Sequence, residues 1–235
     1  MKLKKLTLTS ILVLVCAVAH IHAQNLIRFY QNAKVGYKDA KGAVIVPATY
    51  YAGSEFINGY AIVVQDNKRG YLDNTGKVCI DLQYEDAGPF MQGLAAVRLN
   101  GKYGFIDTHG NWVIQPMYDV VGWFYNGLAW AKKNNKYGFI DLKGTIAIPF
   151  IYNTAGNFKD ELAPVSIDNK YGYINTKGEI VIETKYAMAG DFTAEHKAVV
   201  RQGNKMYWIN TKGKVLEEIE NKKEEEEERE HQHKH

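Results

Sequence analysis

The chain has 235 residues, 46% of them hydrophobic, and its 29 basic and 26 acidic side chains give a formal net charge of +3. So mild an imbalance, spread over a large surface, excludes the concentrated basic patch that nucleic-acid binding usually needs. After residue 23 no stretch is apolar enough to cross a membrane, so we expect no membrane span in the mature chain.

The first residues have the pattern of a secretion signal. Lysines precede an apolar run that is too short to span a bilayer. We therefore predict a signal peptide over 1–23, cleaved after Ala19 or Ala23, and a secreted, periplasmic or cell-envelope location. Cys16 raises the alternative of a lipid-modified cysteine, but Val15 is bulky where such sites need a small residue.

After the signal, the sequence repeats itself every 34 residues. A glycine recurs at this interval, and Tyr207 takes the sixth place one residue late. A strict period of this length indicates one supersecondary unit copied several times. The recurring glycines are Gly36, Gly70, Gly104, Gly138 and Gly172. We predict a repeat array over 24–219, with units at about 26–50, 60–84, 94–118, 128–152, 162–186 and 196–219.

Each unit is predicted to contain three short strands. In the third unit, small and apolar residues alternate at Ala95 and Val97, so one face of the first strand points inward. Asn100 and Gly101 then tolerate the positive φ that a tight hairpin needs. The second strand, Lys-Tyr-Gly-Phe-Ile-Asp, ends in Asp107, whose side chain can close the following turn onto backbone amides.

The third strand of a unit is apolar at consecutive positions, as at Val113 and Ile114, which indicates that both of its faces are at least partly covered. About nine residues then lead to the next unit, and they carry a recurring phenylalanine that we expect to fill the seam between neighbouring units. These residues are Phe56, Phe90, Phe124, Phe158 and Phe192.

The predicted fold class is therefore all-β, with six tandem three-stranded antiparallel units of period 34. Propeller blades usually have four strands, and only three are readable here, which favours an open, solenoid-like stack over a closed propeller.

The end of the array departs from the pattern. Glu217 and Glu218 stand where the other units have apolar residues and proline, as expected of a terminal repeat with one side facing water. The segment 220–235 is dense in charge and is predicted to be an acidic, His-containing disordered tail. Its histidines could bind a transition metal weakly, but we favour a solvated tail and expect no metal or cofactor.

The recurring triplets resemble the core of the WG (KWG) repeat family of bacterial proteins. The copies are Lys68-Arg69-Gly70, Lys102-Tyr103-Gly104, Lys136-Tyr137-Gly138 and Lys170-Tyr171-Gly172. The resemblance covers about 26–216, although no copy has tryptophan before the glycine and the sixth lacks the glycine. The resemblance implies an all-β repeat protein, often exported or envelope-associated, and it implies no enzymatic activity.

Two groups of side chains are candidates for binding. One lysine occupies the same place in every unit, and in a stacked array such a row can hold an anionic polymer; the alternative, which we favour, is that each lysine solvates its hairpin. The lysines are Lys34, Lys68, Lys102, Lys136, Lys170 and Lys205. Aromatic residues that the repeat does not require cluster in the third and fourth units, where they either stack on a ligand or fill a groove between units. They are Trp112, Trp123, Tyr125 and Trp130.

No catalytic site is predicted. Histidines are few, His109 lies in a hairpin turn, and the turn aspartates already have structural roles, so no Ser-His-Asp arrangement is indicated. Two function classes follow. The first is an exported, non-catalytic repeat scaffold that mediates protein or peptide interaction in the bacterial envelope or outside the cell. The alternative is a glycan-binding module that uses the aromatic cluster and the row of lysines.

Overall fold

The structure is a computed structural model that describes residues 26–219. The predicted signal peptide and the predicted tail lie outside the described residues. All regular structure between 26 and 219 is β, arranged as six antiparallel sheets, which we number 1 to 6 along the chain. The predicted all-β fold of tandem antiparallel units is therefore confirmed.

The first three sheets contain eleven of the strands. Sheet 1 contains β1 (Ile27–Gln31), β2 (Lys34–Lys38) and β3 (Val44–Tyr50). Sheet 2 contains β4 (Ala52–Gly53), β5 (Tyr60–Gln65), β6 (Lys68–Asp73) and β7 (Val78–Tyr84). Sheet 3 contains β8 (Asp86–Ala87), β9 (Ala95–Leu99), β10 (Lys102–Ile106) and β11 (Trp112–Tyr118).

The last three sheets repeat the same order. Sheet 4 contains β12 (Val120–Val121), β13 (Leu128–Lys133), β14 (Lys136–Asp141) and β15 (Ile146–Tyr152). Sheet 5 contains β16 (Thr154–Ala155), β17 (Leu162–Ile167), β18 (Lys170–Asn175) and β19 (Ile180–Tyr186). Sheet 6 contains β20 (Met188–Ala189), β21 (Lys197–Gln202), β22 (Lys205–Asn210) and β23 (Val215–Ile219).

The structure adds a short fourth strand to five of the six sheets. Each of these strands has two residues and lies in the connection that precedes the three longer strands of its unit. In sheet 3, for example, Asp86 pairs with Arg98 and Ala87 with Val97. Two residues are too few to show a hydrophobic period, so sequence patterning could not detect this strand.

The recurring phenylalanine lies at the seam between consecutive sheets, as predicted. Phe124, in the loop between β12 and β13 of sheet 4, packs on Phe105 of sheet 3 with ring centroids 4.7 Å apart. Phe56, Phe90, Phe158 and Phe192 each contact the equivalent aromatic ring of the preceding sheet at the other four seams. The seams therefore hold most of the buried apolar surface, and we name each by its two sheets, from seam 1/2 to seam 5/6.

The stack of sheets is not closed. Each buried core cluster joins two consecutive sheets, and within residues 26–219 no cluster joins sheet 6 to sheet 1. The outward face of sheet 6 is also polar, because Lys197 and Glu217 stand where sheet 5 has the buried Leu162 and Ile182. Charged side chains in these places let the last sheet face water, as the sequence predicted for a terminal repeat.

Each recurring glycine faces a bulge in the third strand of its sheet. In sheet 4, Tyr137 pairs with Tyr152 and Phe139 pairs with Ile148. Between these two pairs β15 contains more residues than β14, so β15 bulges. Gly138 lies between these pairs, where a β-carbon would stand 2.7 Å from the carbonyl oxygen of Ile148. The glycine is therefore required by the close approach of the bulged strand.

The third strands confirm in part the sequence expectation that both of their faces are partly covered. Each is the last strand in the hydrogen-bonding order of its sheet. Of three consecutive apolar residues only the last is buried: in β15, Ile148 is buried whereas Ile146 and Ala147 are exposed. Further along the same strand Phe150 packs at seam 3/4 while Ile148 packs at seam 4/5, so both faces are partly covered. The first residues of the apolar run are exposed because the strand lies at the edge of its sheet.

The turn after each second strand is closed by an Asx side chain, as predicted. In sheet 3 one carboxylate oxygen of Asp107 accepts hydrogen bonds from the backbone amides of His109 and Asn111, both at 2.9 Å. Every sheet has this pair of bonds, and the residues that accept them are Asp39, Asp73, Asp107, Asp141, Asn175 and Asn210.

The turn aspartates predict a loss of stability in acid. The backbone amide of Asn111 holds the pKa of the Asp107 carboxyl below its ordinary value. Partial desolvation raises the pKa of Asp73 and Asp141, but the hydrogen bonds that each accepts outweigh it and the net pKa is lowered. Because the folded pKa lies below the unfolded value of about 3.9, the contribution of these turns is complete above that pH and is lost as the pH falls through the folded values.

We expect the urea midpoint of unfolding to fall as the pH drops below about 4, and to fall less steeply in the variant Asp73→Asn/Asp107→Asn/Asp141→Asn. Asparagine makes the same two bonds at Asn175 and Asn210, so the variant keeps the turn and loses only its titration. Equal slopes for wild type and variant would show that other carboxylates control the acid limb.

Candidate functional site

A cleft lies on seam 3/4. It is a space of about 240 Å³ between β8 and β10 of sheet 3 and the β12 segment of sheet 4. Its lining residues are Asp86, Ala87, Gly88, Pro89, Ala96, Tyr103, Val120, Val121 and Trp123. Asp86 and Val120 each belong to a two-residue strand, so backbone pairing fixes the position of these two lining residues.

One wall of the cleft is a hydrogen-bonded polar group. The Tyr103 hydroxyl donates to Asp86 Oδ2 at 2.7 Å, and Arg69 Nε lies 3.4 Å from Asp86 Oδ1. Burial raises the pKa of the Tyr103 hydroxyl, and the bond to Asp86 raises it further, so the phenol stays a donor at neutral pH. The guanidinium of Arg98 lies 5.9 Å from the centre of the Tyr103 ring.

The opposite wall is the indole of Trp123, which is 45% exposed. Its Nε1 lies over Gly88, 3.2 Å from where a β-carbon on that glycine would stand. Within residues 26–219 this nitrogen has no hydrogen-bond acceptor. The cleft therefore combines an exposed aromatic face, an indole N–H donor and a carboxylate in one space.

The equivalent place on seam 4/5 is filled from inside the protein. Trp130 stands at the position that Ala96 occupies in sheet 3, and its Nε1 donates to Asn157 Oδ1 at 3.0 Å. The indole lies against Gly122 and packs on Tyr137 at 5.7 Å between ring centroids. At seam 5/6 the equivalent residue is Pro164, beside a cleft of about 210 Å³ that Asp191 also lines.

The four aromatic residues of the predicted cluster belong to three different seams. Trp112 packs edge-on against Tyr84 at seam 2/3, with ring centroids 6.0 Å apart. Trp130 occupies seam 4/5, and the Lys159 ammonium lies 5.1 Å from the centre of the Tyr125 ring. Of the four, only Trp123 exposes more than a third of its surface, so it is the member best placed to contact a ligand.

The six lysines of the predicted row are the first residues of the second strand in each sheet. Two of them are paired with carboxylates: Lys102 forms a salt bridge with Asp119, and Lys205 Nζ lies 2.8 Å from Glu218 Oε1. The ammonium of Lys34 lies 5.7 Å from the centre of the Tyr51 ring. The row therefore presents an interrupted charge, which weakens its match to an anionic polymer.

A second surface, which the sequence analysis did not single out, runs along the third strands. Apolar side chains at the same repeat position are exposed there: Val113 is 41%, Val181 46% and Leu216 53% exposed. Ile45 is exposed at the equivalent place in sheet 1. We call these four residues the outer-strand stripe. Their sequence signal was the run of consecutive apolar residues, which we had assigned to burial.

Among the described residues, groups that could support catalysis or metal binding are sparse. His196 Nδ1 lies 2.8 Å from Asp160 Oδ2 on an exposed loop, and the turn aspartates are bonded to backbone amides. Between residues 26 and 219 no three His, Cys, Asp or Glu side chains are grouped so as to hold a metal ion. In the same residues no helix has the length and apolar character needed to span a membrane.

Comparison with sequence families gives one match. The profile of the WG containing repeat matches five consecutive stretches: 36–68, 70–103, 103–137, 137–171 and 171–205. Each stretch begins at or next to the recurring glycine and spans parts of two sheets. The sequence matches none of the curated proteins with which it was compared.

Solved structures resemble this chain at low sequence identity. A eukaryotic initiation factor is 13% identical with a TM-score of 0.56, and the match covers 83% of this chain and 63% of that one. Hsv2 of Kluyveromyces lactis, with loop 6CD replaced by a Gly-Ser linker, is 10% identical with a TM-score of 0.50, covering 80% and 74%. The extracellular domain of BT4673 from B. thetaiotaomicron is 12% identical with a TM-score of 0.40, covering 84% and 35%. The matches are propeller-like or repeat-like, whereas this stack of sheets is open.

Proposed function

The chain belongs to the WG-containing repeat family, and from this premise we propose that it is an exported, non-catalytic scaffold that binds a protein or peptide along its outer-strand stripe. The observation that carries the proposal is the exposure of Val113, Val181 and Leu216 at the same repeat position of units 3, 5 and 6. The seams bury their own apolar residues without these side chains. Exposed apolar surface of this kind marks protein interaction sites.

The backbone of the same strands supports a peptide partner. Each third strand ends the hydrogen-bonding order of its sheet, as β11 does in sheet 3. Its outer side therefore offers unpaired N–H and C=O groups, to which an extended segment can add as a further strand. Main-chain bonds would supply affinity, and side-chain contacts with the stripe would supply selectivity.

Two further observations support the rest of the proposal. The signal-like segment over 1–23 supports export from the cytoplasm. The use of the turn aspartates as backbone acceptors, and of His196 as the partner of Asp160, supports a non-catalytic role, because the groups best able to move protons already have structural partners.

The test compares two double variants with matched exposure. Val113→Ser/Val181→Ser removes two members of the stripe, and Ile27→Ser/Ile57→Ser removes two other exposed apolar side chains, 47% and 44% exposed, away from it. The mature chain and both variants are used to capture partners from the envelope fraction of the producing cells, and each captured protein is then purified and titrated. We expect the stripe variant to weaken the affinity about tenfold or more and the other variant to leave it unchanged.

Two results would count against the scaffold. One is an equal loss of affinity in both double variants, which would indicate that general surface hydrophobicity causes capture. The other is the absence of any protein that rebinds after purification, which would remove the stripe as an interaction surface.

A further inference from the structure

We propose that the seam 3/4 cleft is a saccharide-binding site that takes one neutral sugar ring, with Trp123 as the surface on which the ring stacks. This site goes beyond the protein-binding role proposed above, because it lies between two sheets and uses none of the residues of the outer-strand stripe. It narrows the glycan-binding alternative to one cleft and makes no use of the row of lysines.

The cleft at seam 3/4 is open where a large side chain fills the corresponding space at seam 4/5. Ala96 occupies the position of Trp130 in sheet 4 and of Pro164 in sheet 5. At seam 4/5 the Trp130 indole fills the corresponding space and satisfies its own N–H on Asn157. The space of about 240 Å³ at seam 3/4 is smaller than the roughly 300–1,000 Å³ of sites for drug-sized ligands, which favours a single ring as its occupant.

The polar groups of the cleft suit hydroxyl groups. The Asp86 carboxylate has about four acceptor positions, and Tyr103 and Arg69 use two of them. Trp123 Nε1 is a donor with no acceptor in the described part of the chain. A sugar ring offers hydroxyls that both donate and accept, and its C–H groups can lie on the electron-rich face of an indole.

The charges around the cleft favour a neutral ligand over an ion. Arg69 compensates Asp86, and Arg98 Nε lies 3.5 Å from Glu85 Oε2, so the positive and negative side chains are paired. An ammonium group would have to compete with Arg69 for the carboxylate. An anionic sugar would meet that carboxylate without a free cation to offset it, because Lys102 is held by Asp119.

The test titrates the full mature chain with cellotetraose, mannotetraose and galactotetraose, by calorimetry and by tryptophan fluorescence. We expect at least one of these neutral probes to bind, and Trp123→Ala to weaken that binding about tenfold or more. A second variant, Ala96→Trp/Trp123→Asn, rebuilds at seam 3/4 the arrangement that Trp130 and Asn157 already form at seam 4/5. We expect it to unfold at a temperature close to that of wild type and to bind none of the three probes.

The outcomes separate this site from the protein-binding surface. Val113→Ser/Val181→Ser should keep its affinity for saccharide, and Trp123→Ala should keep its capture of protein. If either variant loses the other function, the two sites are not independent. If none of the neutral probes binds at millimolar concentration, or if affinity persists in Ala96→Trp/Trp123→Asn, the saccharide site is wrong. Preference for tetragalacturonate or tetralysine over the neutral probes would overturn the assignment of a neutral ligand.

Discussion

Replacing Gly138 with alanine is expected to destabilise the array by about 3 kcal/mol, near the upper end of the usual effect of overpacking. The new β-carbon would stand 2.7 Å from the Ile148 carbonyl oxygen and 2.9 Å from backbone atoms of Pro149 and Phe150. All three contacts are with backbone, which cannot rotate away as a side chain can. Either the bulge in β15 opens or sheet 4 loses its pairing, and both changes expose the two seams that this sheet covers.

The control for this prediction is Gly190→Ala. Gly190 also has a negative φ, but an added β-carbon there meets only the Val199 carbonyl oxygen at 3.6 Å, which is ordinary contact. We expect this variant to lie within about 0.5 kcal/mol of wild type by urea denaturation. If both variants unfold at the same urea concentration, conformational freedom rather than space would explain the recurring glycine.

Sheet 6 supports the spatial explanation. Tyr207 occupies the place of the glycine there, and its strand pairs Tyr207 with Glu218 and Trp208 with Glu217 without the intervening bulge. Where the third strand does not approach, a large side chain fits. The sixth unit therefore lacks both the glycine and the bulge, and the two departures are linked. In the sequence they are visible only as an interruption of the repeat.

The period of the sequence was sufficient to predict the long strands, the Asx turns and the seam phenylalanines, because each depends on residues close together in one unit. The two-residue strands were not predicted, since Asp86 and Ala87 pair through backbone groups that carry no side-chain signal. The consecutive apolar residues Val113 and Ile114 could not show how far each face of their strand is covered, because that depends on what lies beside the sheet.

The candidate site was harder still to predict from the sequence, because it depends on contacts between different units. The excess aromatic residues were visible in the sequence, but their partners were not. Trp130 donates to Asn157 in the next unit, 27 positions along the chain, so it is satisfied inside a seam. Trp123 remains exposed partly because Ala96 is small, and these two residues belong to different units. Comparing Ala96, Trp130 and Pro164 at one repeat position was the signal that could have located the cleft.

Phe124→Ala is the second large effect that we expect, with a loss of about 3–5 kcal/mol in the free energy of unfolding. Phe124 is 1% exposed and packs on Phe105, and it belongs to the core cluster that joins sheets 3 and 4. In a stack where each sheet contacts only its neighbours, stability depends on the seams between them. Loss of this seam should lower the melting temperature by about 10 °C and, at the limit, separate the unfolding of sheets 1–3 from that of sheets 4–6.

Trp123→Ala is the matched control, because it removes a larger aromatic ring from the adjacent position in the chain. Trp123 is 45% exposed and is not a member of the core cluster that joins sheets 3 and 4, so we expect a change in stability below about 1 kcal/mol by calorimetry and urea denaturation. Similar losses in the two variants would mean that the cleft wall supports the seam, and Trp123 could then not be tested as a binding residue without changing the fold. An unchanged melting temperature in Phe124→Ala would instead remove the phenylalanine from the seam. Buried and exposed side chains alternate along this loop. We therefore expect Phe124 to stabilise the fold and the neighbouring Trp123 to be available for binding.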